Sequence, residues 1–238
     1  MRFPIFPTPM AAVALVAGSM TLAASAGGQT KASSKDSLGA SPADSSRAAT
    51  SVSTQRPLAI LLSKRVLVLP VQRRTFRDSL KWESRMPPAS EYLASVDDEL
   101  TFALTERGLA DEWILPPAII AAAKRNSALG VNPRALGVDQ LFALFPDKWQ
   151  LLDPLAKQLR SLVAINEARY VLLPLELRFS NAKTPGMVEP SLRLMIIDAR
   201  RAQVQWTGQI VGAPTNKLSP AIAADLMSRF GELIGPAQ

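Results

Sequence analysis

A chain of 238 residues, 47% of them hydrophobic, is long enough to bury one substantial core. Twenty-seven Lys and Arg against 20 Asp and Glu leave a net charge of +7, a balance suited to anionic surroundings or to a solvated basic surface. With no histidine and no cysteine, the composition excludes Ser-His-Asp and Cys-His nucleophiles, imidazole and thiolate metal sites, and disulfides.

The N-terminal quarter carries two signals. Met10 to Ala26, MAAVALVAGSMTLAASA, is apolar, follows the basic Arg2 and ends in Ala24-Ser25-Ala26, the small-x-small form that signal peptidase cleaves. Residues 1–26 therefore read as an export signal. The run is short for a membrane span, which takes about 20 residues; retention as an inner-membrane anchor is the alternative to cleavage. Residues 27–57 are rich in Ser, Ala, Thr and Gly and nearly free of large apolar side chains, so they bury too little surface to offset their ordering entropy. They read as a disordered linker reaching on the order of 30 Å. A single α/β domain is expected over 58–236.

In Pro57 to Val71, the run from Arg65 to Val71 is nearly unbroken in Val and Leu and is bounded by Pro70, the pattern of a strand buried on both faces. Gln72 to Ser90, QRRTFRDSLKWESRMPPAS, has no clean period and reads as a long exposed connection, with at most a helical turn around Asp78 to Ser84. Connections of this length are uncommon without a role. Arg73, Arg74, Phe76, Arg77, Lys81 and Trp82 are accordingly the candidate partner-binding residues. Glu91 to Arg107 follows with an apolar helical stripe, Leu93, Val96, Leu100, Ala103 and Leu104, capped by Ser90 and Gly108. Its successive Asp97, Asp98 and Glu99 fan around the helix, which predicts a solvated face rather than a paired-carboxylate site.

Trp113 to Leu115 predicts a short second strand ended by proline, and Pro117 to Ser127 a second helix. Arg134 to Leu144 has room for a short helix, and Phe142, Phe145 and Trp149 are expected to pack under the loop. From Leu152 to Val163, Leu152, Leu155, Ala156, Leu159, Leu162 and Val163 share one helical face. The strand that follows is expected to set Val171, Leu173, Leu175, Leu177 and Phe179 on one side and Tyr170, Leu172, Pro174, Glu176 and Arg178 on the other. Pro174 cannot donate to a ladder and implies an edge or a bulge. Ser191 to Asp198 and Gln203 to Val211 alternate again, the second with Val204, Trp206 and Ile210 inward, and the short DARRA connection predicts a hairpin. A final helix has Ser219 as N-cap, Pro220 at N1, and Ile222, Ala223, Leu226, Met227, Phe230 and Leu233 on one face. One-sided strands predict a mixed, largely antiparallel sheet with helices packed on it, in two or three layers.

No nucleotide-binding, EF-hand or GxSxG spacing occurs. Ser63 and Lys64, considered as nucleophile and base, would point to opposite faces of a strand. Asp111, Glu112, Asp139, Asp147 and Asp153 carry no spacing that brings them together. Of Trp82, Trp113, Trp149 and Trp206, only Trp82 falls in a segment expected to be exposed.

The strand ending in Pro70, the helix leading into Ala168-Arg169-Tyr170-Val171, and the hairpin with Asp198 before its turn and Trp206 in its return strand form one ordered set. It resembles the bacterial envelope domains that include the curli secretion pore subunit CsgG, the N-terminal domain of TolB and the lipoprotein activators of penicillin-binding proteins such as LpoB. The resemblance spans roughly 64–234. It departs from the family at Pro174, where a small residue is usual, in the DARRAQ turn, which lacks Thr-Gly, and in having no cysteine to lipidate. It implies a non-enzymatic exported factor, periplasmic or secreted, that binds or regulates an envelope protein partner. No cofactor, nucleic acid or membrane span after cleavage is implied, and homo-oligomerisation is possible. The alternatives are a carboxylate-dependent hydrolase of an envelope polymer and an oligomeric secretion component.

Overall fold

A computed structural model describes residues 58–142 and 150–235. The export signal, the linker, and Phe145, Asp147 and Trp149 lie outside the described residues. Six strands, β1 (Val66–Val68), β2 (Arg73–Arg77), β3 (Trp113–Ile114), β4 (Tyr170–Asn181), β5 (Val188–Asp198) and β6 (Gln203–Val211), form one mixed sheet. Four helices, α1 (Ala89–Thr105), α2 (Pro116–Arg125), α3 (Leu155–Ile165) and α4 (Ala221–Ile234), pack on it.

The sheet order is β3-β1-β4-β5-β6. β1 runs parallel to both β3 and β4, while β4, β5 and β6 form an antiparallel meander. Val66, Leu67 and Val68 are fully buried, as an all-apolar central strand requires. Pro70 interrupts the ladder without redirecting the chain. The Leu69 N–H still donates to Leu172 O at 3.0 Å, the Gln72 N–H donates to Pro174 O at 3.1 Å, and β2 then resumes parallel pairing with β4.

The segment expected as an exposed connection thus contains a strand, followed by a 3-10 turn over Trp82–Arg85. RRTFR has a single large apolar residue and so lacks the signature of a strand; the open edge of β4 supplies the pairing that the local sequence does not announce.

Helices cover both faces of the sheet, the three-layer form of the two expected. α1 and α4 enclose Leu172, Leu177, Phe179, Leu192, Leu194 and Ile196. α2 and α3 enclose Leu67, Val171, Leu173, Leu175, Met195 and Ile197. Two bulges decide which residues face which layer. The register shifts between Pro174 and Glu176, where the proline implied it, so Val171, Leu173 and Leu175 face α3 whereas Leu177 and Phe179 face α1. A second shift between Ile196 and Ile197 sends Val204 toward α3 and Ile210 toward α4. One extra residue inverts a period of two, so uniform alternation fails across it.

Ser90, expected to cap α1, lies inside that helix, which starts one residue earlier behind Pro88, whereas two other helix ends follow local chemistry. α4 begins with the Ala221 N–H donating to Ser219 Oγ at 3.2 Å. Past the end of α1, Gly108 adopts φ +70°, a conformation that costs glycine little.

Candidate functional site

Beyond the Pro174 bulge, the face that α2 and α3 cover further up carries polar side chains. The register places Arg73 beside Glu176, Thr75 beside Arg178 and Arg77 beside Ser180, with Arg193 on the far side of Glu176. Glu176 is 2% exposed and uses both of its oxygens. Oε1 accepts from Thr75 Oγ1 at 2.9 Å and Arg73 Nη2 at 3.2 Å, and Oε2 accepts from Arg178 Nη2 at 2.6 Å. Burial pushes this carboxyl up, but the bonds from Thr75, Arg178 and Arg73 outweigh it and hold the group below its usual range.

The buried anion in turn orients two guanidinium groups whose side chains remain 38% (Arg73) and 34% (Arg178) exposed. Arg73 is further clamped by the Phe142 ring, 3.3 Å from its guanidinium carbon to the ring centroid, and Arg193 lies over the same ring at 6.0 Å. Arg193 and Arg77 have no carboxylate partner among the described residues. The result is one buried acid held by Arg73 and Arg178, with Arg193 and Arg77 on the same face of the sheet.

The loop carrying Phe142 is itself pinned. Gln72 Nε2 donates to Pro70 O at 2.7 Å and Pro133 O at 2.9 Å, and its Oε1 accepts the Leu136 N–H at 3.1 Å. Beside it, Asp97 fills the gap left by the Pro70 interruption. Its Oδ1 accepts the Val71 N–H at 2.8 Å and its Oδ2 accepts from Arg134 Nη1 at 2.6 Å. Asp97 is therefore a buried staple, contrary to the solvated face expected of α1, because a backbone donor freed by the strand break needs an acceptor. Burial raises its pKa to about 6 against the opposing pull of Val71 and Arg134.

The six candidate binding residues separate. Arg73 and Arg77 lie on the arginine-bearing face, and Arg77 and Lys81 border an open cleft of about 610 Å³ with Phe76, Asp78, Ser79 and Asn181. Arg74 and Phe76 point to the opposite face. Phe76 stacks on Phe179 with centroids 5.3 Å apart, and Arg74 lies 5.0 Å above Phe76. Trp82, expected in an exposed segment, is fully buried 5.8 Å from Phe179. Its charged neighbours face solvent while the 3-10 turn aims the single large ring inward. Sequence reading missed Glu176, Arg178, Arg193 and Phe142 as a set. The available signal was Glu176 itself, an acid inside the apolar run LLPLELRF, where burial demands a cationic partner.

Elsewhere, Ser63 and Lys64 occupy an exposed turn ahead of β1 rather than a strand, and Asp111, Glu112, Asp139 and Asp153 are exposed. Among the described residues no group of three or more acidic side chains is arranged to hold a metal.

No protein-family model and no curated protein sequence matches the chain. Solved structures similar to it include the LpoB C-terminal domain from Salmonella enterica, 15% identical with a TM-score of 0.33 over 66% of this chain and 93% of that one. A PelC dodecamer from Paraburkholderia phytofirmans gives 14% identity and a TM-score of 0.37 over 75% and 92%. Lipoprotein GNA1162 from Neisseria meningitidis gives 14% and 0.32 over 72% and 97%. Of the relatives suggested by the sequence motifs, LpoB is represented among these structures.

Proposed function

We propose that this protein is a non-enzymatic envelope factor that docks an acidic surface of a protein partner on the arginine-bearing half of its sheet. In this reading residues 1–26 direct export, 27–57 form the linker, and 58–236 are the binding domain. The observation that carries the proposal is the Arg73–Glu176–Arg178 cluster with Arg77 and Arg193 beside it. Guanidinium groups already ordered by a buried carboxylate lose little further freedom when they meet a second one, and their planar forks donate to it bidentately. Carboxylate catalysis is disfavoured, since among the described residues the buried acids Asp97, Glu176 and Asp198 are each tied to arginine.

Photo-crosslinking groups placed at Ser180 and Gln209 test this in cells, with Lys124 on α2 as a comparison. Capture of one envelope protein from both sheet positions, absent from Lys124 and lost on Arg77→Glu/Arg193→Glu, is the expected outcome. Capture that persists in the double variant, or that yields only cytoplasmic proteins, overturns it.

A further inference from the structure

A second basic surface lies at the end of the sheet where β1 and β4 begin, away from the arginine-bearing face. The cations that build it are far apart in the chain. Lys64 and Arg65 come from the turn entering β1, Arg169 precedes β4, and Arg200 belongs to the β5–β6 hairpin; together with Glu167 and Tyr170 they line an open cleft of about 300 Å³. Arg200 and Glu167 also border an adjoining cleft of about 430 Å³, whose far side is Arg160 of α3.

The acid buried at this end is already satisfied. Asp198 Oδ2 accepts from Arg169 Nε at 3.0 Å and Nη2 at 2.6 Å, and its Oδ1 accepts the Arg201 N–H at 3.2 Å. Lys64, Arg65, Arg160 and Arg200 are all exposed, and Glu167 is the one carboxylate lining the two clefts.

An independent feature bears on what this surface meets. Ile60, in the 3-10 turn just ahead of Lys64 and Arg65, is 68% exposed, the highest value among the exposed large hydrophobic residues described. That turn leads directly into the basic pair through the Lys64 N–H, which donates to Leu61 O at 2.9 Å. An exposed aliphatic side chain beside exposed cations is the makeup of a peripheral membrane contact, in which phosphates pair with Lys and Arg and the apolar group enters the headgroup layer. A protein ligand would be served better by the ordered guanidinium groups of the other face. We propose that this end of the domain rests on an anionic phospholipid surface, with Lys64, Arg65, Arg160 and Arg200 paired to lipid phosphates and Ile60 inserted between them. The contact leaves the arginine-bearing sheet face free.

Co-sedimentation of the full chain with phosphatidylcholine vesicles, with and without phosphatidylglycerol, tests the proposal. Any binding by the apolar residues 10–26 enters both arms alike. Each basic side chain near an anionic surface is worth about 1 kcal/mol, so anionic vesicles are expected to bind at least about tenfold more tightly. Lys64→Glu/Arg65→Glu/Arg200→Glu removes that preference, whereas the charge-matched Lys124→Glu/Arg125→Glu/Lys183→Glu keeps it. Ile60→Ser weakens binding while leaving its salt dependence intact. Should the triple variant fail to fold, the single changes Lys64→Gln and Arg200→Gln, each expected to weaken binding several-fold, carry the test. Equal binding to both vesicle types, an equal loss in the charge-matched control, or binding to soluble dextran sulfate without binding to vesicles overturns the proposal.

Discussion

Arg178 Nη2 donates to Glu176 Oε2 at 2.6 Å from two residues further along the same strand. Alternate residues of a strand share a face, so β4 supplies both the buried acid and one of its cations, and Arg73 of β2 completes the clamp from the next strand. Replacing Glu176 with Ala leaves two guanidinium groups facing each other without the anion. The expected cost is about 2 kcal/mol, discounted from the value for a fully buried pair because both arginines are about one-third exposed. Urea unfolding of Glu176→Ala checks this; a cost below about 0.5 kcal/mol would contradict the clamp.

The buried acids give opposite pH dependences. Asp97 has its folded pKa raised from 3.8 to about 6, so the folded state holds the proton more tightly and stability falls as pH rises from about 4 to about 6. Glu176 and Asp198 are lowered, so their contribution is present above the unfolded pKa and is lost as pH falls through the folded one. Asp97→Asn is expected to remove the decline between about pH 4 and 6 and to leave the acid-side loss in place. Chemical unfolding across that range for both proteins checks it.

Asp97→Ala differs from the Asn variant by leaving the Val71 N–H buried without an acceptor. An unsatisfied buried donor costs about 1–3 kcal/mol, so the Ala variant is expected to be the less stable of the two by roughly that amount at neutral pH. Equal stabilities of the two variants would show that the bond to Val71 contributes nothing.

Trp82 separates the two views of its segment directly. As a fully buried ring within reach of Phe179, it is expected to cost about 3–5 kcal/mol on truncation to Ala. A solvent-facing tryptophan would cost less than about 0.5 kcal/mol. Thermal unfolding of Trp82→Ala distinguishes these outcomes.

Arg77→Glu and Arg193→Glu reverse one exposed and one half-buried charge without breaking any described ion pair. Stability is expected to change by no more than about 0.5 kcal/mol for Arg77→Glu and to fall by about 1 kcal/mol for Arg193→Glu, which sets a second carboxylate across from Glu176, while crosslinking to the partner is lost. A large loss of stability would instead mark these arginines as structural.

Periodicity alone located α1 and α3, although Leu152, set by its spacing on the α3 face, lies ahead of the helix and is 63% exposed, and the helix expected near Arg134 to Leu144 is only a 3-10 turn over Asp139–Phe142. The stripe Leu93, Val96, Leu100 and Leu104 and the stripe Leu155, Leu159 and Leu162 are buried as their spacing required, because a helix carries its own hydrogen bonds and its register is local. The antiparallel β5–β6 hairpin and the irregularity at Pro174 were equally readable, since each depends on a few adjacent residues. Only the tertiary structure decided the rest. β2 exists because β4 offers an open edge, Leu177 and Phe179 change faces because one extra residue inverts the pleat, and Asp97 is buried because Pro70 frees a donor 26 residues away in sequence. Both basic surfaces are likewise products of register and loop placement. Arg73, Arg178 and Arg193 lie on three different strands, and Lys64, Arg160 and Arg200 lie on three separate segments, so the charge they concentrate is invisible along the chain and appears only when the sheet aligns them.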